Sequence, residues 1–116
     1  MKFVALIAIV TAENEENIKK LAKQSGASGA MVIQAKGSGV EEKKSFFSLT
    51  FEGNHTILLY ILEEKMSRSV LKAIKKDFEE KKSEGMAFTT PISHVVGLNQ
   101  TTIKKFEEKI KNDEVL

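Results

Sequence analysis

Residues 3–10, Phe3-Val4-Ala5-Leu6-Ile7-Ala8-Ile9-Val10, form an unbroken apolar run containing β-branched residues, the pattern of a strand buried on both faces. Asn14 then offers a helix cap, and Glu15 and Glu16 suit the positive end of the helix dipole. Ile18, Leu21, Ala22 and Ser25 share one face of that helix, with Lys19, Lys20 and Lys23 facing water. Gly26 supplies the left-handed residue that stops it. Residues 30–36 read as a second strand. Residues 37–45 are polar apart from Val40 and predict a mobile loop; residues 46–51 read as a short strand or an apolar arm, and 52–54 as a turn. Residues 55–62 are another strong strand. Ser67 or Ser69 opens a second helix with Val70, Leu71, Ile74 and Phe78 inward, and with Lys72, Lys75, Lys76 and residues 79–82 outward. Residues 83–85 form a turn and 86–90 a strand that Pro91 confines to an edge or a bend. Residues 94–98 continue that strand or form a last short one. Asn99 or Thr101 caps a third helix with Ile103, Phe106 and Ile110 on one side.

The order β-α-β-(loop, short β)-β-α-β-α is that of an α+β, ferredoxin-like split βαβ sandwich with an extra C-terminal helix. Residues 1–98 make the ferredoxin-like domain, and 99–116 a helix of the same domain. Both helices of such a fold cover one face of the sheet. In the first and third strands, however, both alternating sets of side chains are apolar, whereas a solvated face carries polar residues. One narrow helix cannot cover the second face, so self-association is expected.

Composition narrows the class. A chain of 116 residues holds one core and not two. The net charge of +2, from 18 basic and 16 acidic residues, gives no strong pull toward nucleic acid or a membrane surface. The absence of cysteine excludes disulfides, CxxC metal sites and thiol catalysis. The apolar run at residues 3–12 lacks a fitting signal-peptide cleavage site and meets Glu13 at once. It is also shorter than the roughly 20 residues of a membrane span. A soluble, cytoplasmic protein is expected.

Candidate chemistry is sparse. Lys36-Gly37-Ser38-Gly39 closes the second strand with backbone N–H groups and a cation, a workable anion cradle; two glycines also serve simply to turn a chain. His55 and His94, each at the start of a strand, are expected at surface or edge positions, and Glu52 before His55 lies in a turn and makes a poor metal pair. The single arginine, Arg68, opens a helix, where it cannot serve the oxyanion site of an acylphosphatase-like fold. No serine has a placed base. The sequence therefore points away from an enzyme. RNA-recognition modules of similar topology expose sheet aromatics, and only Tyr60 stands among aliphatics in the third strand, so no nucleic-acid partner is expected. Phe46, Phe47 and Phe51 either pack a core or interface, or are presented to a partner by a ligand-set loop.

Three segments, taken in order, resemble the nitrogen-regulatory PII signalling family, and its divergent PII-like branch in particular. They are Gly29-Ala30-Met31-Val32-Ile33-Gln34-Ala35-Lys36-Gly37-Ser38-Gly39, Phe46-Phe47-Ser48-Leu49, and Ser83-Glu84-Gly85-Met86-Ala87-Phe88 followed by Pro91 and Val95-Val96-Gly97-Leu98. The resemblance runs from Phe3 to Leu98. It implies a homotrimer of ferredoxin-like subunits that senses a small anionic effector, an adenine nucleotide, in clefts between subunits. It also implies a docking loop, here residues 37–54 with Phe46, Phe47 and Phe51, that regulates a membrane transporter or metabolic enzyme. The ligand-binding residues it implies are Lys36, Gly37, Ser38, Gly39, Ser83, Glu84, Gly85 and Met86, with no catalytic residue and no metal. This loop lacks the modifiable tyrosine of classical members. Met86 replaces a lysine, and Val95-Val96-Gly97-Leu98 stands where classical members carry two arginines, so less charged nucleotides are favoured over a triphosphate. A CutA-like trimeric scaffold with no nucleotide role is the alternative.

Overall fold

A computed structural model describes residues 1–27, 29–35, 44–46, 49–51, 55–81, 84–98, 103–104 and 107–108, with the backbone alone at 35, 44–46 and 49–51. Strand β1 (Phe3–Thr11) passes through a 3-10 turn, Ala12–Asn14, into helix α1 (Glu15–Gln24). Strand β2 (Met31–Ala35), the short strands β3 (Lys44–Phe46) and β4 (Leu49–Phe51), and strand β5 (His55–Glu63) follow. Helix α2 (Glu64–Lys81) and strand β6 (Gly85–Ile92) complete the order. The main sheet runs β2-β5-β1-β6, and every pairing in it is antiparallel. This is the ferredoxin-like split βαβ arrangement read from the sequence.

Alternation along the strands sorts the side chains onto two faces. Leu6, Ala8 and Val10 of β1 and Leu58, Tyr60 and Leu62 of β5 join Ile18, Ala22, Val70 and Ile74 of the two helices in one buried cluster. Their alternates lie on the opposite face. There the register aligns Met31, Leu59, Ile7 and Phe88 in one row across all four strands, and Ile33, Ile57, Ile9 and Met86 in the next. Helices α1 and α2 both pack on the other face, and Met31 (60%), Ile33 (44%) and Ile61 (40%) are exposed on this one. Among the described residues, the two-sided apolar pattern therefore leaves one broad apolar sheet face that α1 and α2 do not cover.

The termini of α1 and α2 depart from the expected chemistry in instructive ways. The stop of α1 is as read: Gly26 has φ of +109°, and Ala27 N donates to Ala22 O at 2.8 Å while Gly26 N donates to Lys23 O at 3.1 Å. That pair of bonds is a Schellman closure. Its start is not capped by the Asn14 side chain, because Asn14 is itself in a helical conformation within the preceding 3-10 turn. Helix α2 begins three residues before Ser67. Glu63, the last residue of β5, accepts from Lys65 N at 2.8 Å and Met66 N at 3.2 Å through Oε2, and Glu64 N donates to Lys2 O at 2.9 Å. Glutamate is not a usual capping residue, so the sequence placed the start at Ser67 or Ser69. Ser67 instead bonds back to Glu64 O at 2.6 Å from inside the helix.

Three strand expectations also change. Residues 46–51 are not one strand: β3 and β4 pair antiparallel, with Phe46 opposite Leu49 and Lys44 opposite Phe51. A lone strand away from the main sheet leaves its backbone groups unpaired, and a hairpin satisfies half of them internally. Lys44 and Ser45, read as loop, thereby become strand. Pro91 lies opposite Val4 on the edge strand β6, where its missing N–H is tolerated. Beyond Ile92 the chain leaves the sheet, so residues 94–98 form no strand. Of the third helix, Ile103, Lys104, Glu107 and Glu108 are helical; Phe106 and Ile110 lie outside the described residues.

Candidate functional site

Of the residues proposed from sequence for the ligand, Glu84, Gly85 and Met86 are described, and they stand at the start of β6. Gly85 opens β6 opposite Val10, and Met86 stands opposite Ile9. At the same end, Ala35, the residue before Lys36, lies opposite His55, and His55 lies opposite Thr11. The chain thus leaves β2 toward the Lys36-Gly37-Ser38-Gly39 turn at the level where it enters β6. Yet β2 and β6 are the two outer strands. Three strand spacings separate them, about 14 Å at about 4.8 Å each. Within one chain the end of β2 and the start of β6 lie on opposite edges.

Gly85 is required by packing. A Cβ built there would meet Phe78 Cζ at 2.7 Å and the backbone O of Ile9 at 3.0 Å. The last turns of α2 press Phe78 onto the first residue of β6, and only a residue without a side chain fits beneath it. Glu84, just before, is exposed, and Met86 is half-buried on the uncovered sheet face. Met86 therefore belongs to the apolar row with Ile9, Ile57 and Ile33. Lys36, Gly37, Ser38, Gly39, Ser83 and Phe47 lie outside the described residues, and Phe46 and Phe51 are placed by their backbone alone.

Three polar positions carry structure that the sequence reading passed over. His55 is buried, 5% exposed, on the inner strand β5, rather than at a surface or edge; His94 is exposed as expected. Glu63 is buried and caps α2. Asp77, 7% exposed on α2, accepts from Asn17 Nδ2 at 2.9 Å and from Asn14 Nδ2 at 3.3 Å, and lies 3.2 Å from Lys81 Nζ. Burial alone would raise its carboxyl; the hydrogen bonds from Asn17, Asn14 and Lys81, with the Lys81 charge, outweigh it and hold the group below its ordinary value. A signal for Asp77 was present, since Ser67, Val70, Ile74 and Asp77 follow a 3-4-3 spacing along one helix face.

Among the described residues no helix is long and apolar enough to cross a membrane, and no group of three or more metal-ligating side chains gathers.

The model of the nitrogen regulatory protein P-II family matches residues 2–102. None of the curated proteins matches the sequence. Among solved structures, CPII from Thiomonas intermedia K12, bound to ADP, AMP and acetate, superposes with a TM-score of 0.64 at 20% identity, covering 90% of this chain and 94% of that one. The same protein bound to ADP, AMP and bicarbonate gives 0.62 at 19%, covering 91% and 98%. A protein of Thermus thermophilus described as PII-like in signalling gives 0.61 at 16%, covering 79% and 87%.

Proposed function

The chain belongs to the nitrogen regulatory protein P-II family, and from that premise we propose that it is a trimeric PII-like regulator, not an enzyme, that senses an adenine nucleotide between subunits. One observation carries the reading. Strand β2 ends and β6 begins on opposite edges of the sheet at the same end. The sheet face between them, away from α1 and α2, is apolar and carries exposed Met31, Ile33 and Ile61 among the described residues. A neighbouring copy laid on that face covers Met31, Ile33 and Ile61 and brings the Lys36-Gly37-Ser38-Gly39 turn of one chain toward the Ser83-Glu84-Gly85-Met86 turn of another. The backbone N–H groups of such turns suit a phosphate, with Lys36 as the nearest cation. Met31, Ile33 and Met86 share the uncovered face and suit the flat side of a base. The nucleotides ADP and AMP bound to the CPII structures support this ligand class.

Ligand-dependent ordering of residues 37–54 then shifts the population of a docking surface that carries Phe46, Phe47 and Phe51, presented to a transporter or metabolic enzyme. Calorimetry with ADP, AMP, cyclic AMP and ATP tests the reading. Binding of ADP or AMP, with ATP weaker because Glu84 repels added charge and Met86 offers no cation, supports it. Silence of all four at millimolar concentration in a trimeric protein overturns the nucleotide role and leaves the CutA-like scaffold.

A further inference from the structure

On the helix side of the sheet, a cleft of about 180 Å³ lies between the C-terminal half of α1 and the start of β2, lined by Lys19, Lys23, Ala27, Gly29, Ala30 and Tyr60. We propose that this cleft is a second binding site, separate from the one between subunits, and that it takes a small oxyanion of the size and charge of inorganic phosphate.

The chemistry of its lining is one-sided. Lys19 and Lys23 stand one helical turn apart on α1, so their ammonium groups serve the same mouth. Lys19 shares its charge with Glu16 at 2.8 Å and Glu15 at 3.6 Å. Lys23 has no ion pair among the described residues and brings the uncompensated charge. Tyr60 is 3% exposed as a residue and lines the cleft, where its hydroxyl bonds none of the described residues and is open to a ligand. Burial raises its pKa although the Lys19 charge opposes the shift, so at neutral pH it offers a donor. Among the described residues no carboxylate lines the cleft. In the last turn of α1, the carbonyls of Leu21, Ala22 and Lys23 are bonded by the N–H groups of Ser25, Gly26 and Ala27.

Size and position separate this site from a nucleotide site. Pockets for drug-sized ligands run from roughly 300 Å³ upward, and this one is smaller. Its walls are small, being Ala27, Ala30 and Gly29, and the space where a Gly29 side chain would stand is open. Tyr60 belongs to the helix-side core, on the opposite face of the sheet from Met31, Ile33 and Met86. The proposal does not depend on nucleotide binding.

The test is a titration of the full chain with inorganic phosphate at constant ionic strength, followed by the amide resonances of Gly29 and Ala30, with chloride as control. Saturable shifts with phosphate and none with chloride are expected. Lys23→Gln, at an exposed position, should weaken phosphate about tenfold, the scale of one charge-assisted hydrogen bond. Tyr60→Phe keeps the ring and should weaken it about fivefold, a weaker neutral donor being lost. ADP titrations of both variants should match the parent protein, or stay silent if the parent is silent. Shifts that never saturate, equal phosphate affinity in all three proteins, or an ADP affinity that falls in step with that for phosphate would each overturn the separate site.

Discussion

Asn17 and Asp77, 60 residues apart in the chain, meet across the two helices with Asn17 Nδ2 donating to Asp77 Oδ1 at 2.9 Å. The same amide reaches Asn14 Oδ1 at 3.0 Å, and Asn14 Nδ2 reaches the second oxygen of Asp77. One buried carboxylate thus ties the entry of α1 to the C-terminal third of α2, one residue before Phe78 packs over Gly85.

Loss of that carboxylate should be felt in both stability and its pH dependence. Asp77→Ala should cost about 1.5–3 kcal/mol, the range for hydrogen bonds to a charged group. Because its folded pKa lies below the ordinary 3.8, its contribution is complete above that value and is lost as the pH falls through the folded value. Urea unfolding at pH 7 and near pH 3 should show the gap between parent and variant narrowing in acid. An undiminished gap would place the cost elsewhere than in the ionised group.

Gly85→Ala should destabilise by about 1–3 kcal/mol, the usual cost of forcing volume into a packed site. A Cβ there would meet the Phe78 ring at 2.7 Å and the Ile9 carbonyl at 3.0 Å, and the carbonyl is backbone of the inner strand β1. Phe78→Leu in the same background should recover part of the loss. A denaturation midpoint for Gly85→Ala equal to that of the parent would refute the close approach.

Removing the cap of α2 should also register. Glu63→Ala deprives Lys65 N and Met66 N of their acceptor and should cost about 0.5–2 kcal/mol. Glu63→Gln retains a carbonyl acceptor and should cost less. Equal losses for the two variants, measured by thermal unfolding, would mean that the carboxylate acts through its charge and not as a cap.

Leu58 and Leu59 separate folding from assembly. Leu58 is fully buried among the helices, so Leu58→Lys should unfold the chain. Leu59 lies in the apolar row with Met31, Ile7 and Phe88, so Leu59→Lys should leave a folded subunit that no longer self-associates. Sedimentation of the parent should give about 39 kDa, three times 12.9 kDa, and of Leu59→Lys about one third of that. A parent protein that is monomeric at micromolar concentration would sink the assembly.

The main strands, both helices and their order were legible in the residues, because those signals are local. Unbroken apolar runs mark β1 and β5, a 3.6-residue period marks α1 and α2, Gly26 marks a stop, and Pro91 marks an edge. That both faces of β1 and β5 are apolar was legible too, and it is the pattern from which self-association is expected. Which face the helices take depends on the relative placement of distant segments, and only the folded chain assigned Leu6, Leu58 and Tyr60 to the core and Ile7, Leu59 and Met86 to the open side. The same holds for Asp77, to which no role was assigned until Asn14 and Asn17 arrived from the other helix, and for Glu63, whose capping role needed the strand to end where it does. Gly85 looked like a turn residue; the tertiary structure made it the place where Phe78 and the Ile9 carbonyl leave no room for a side chain.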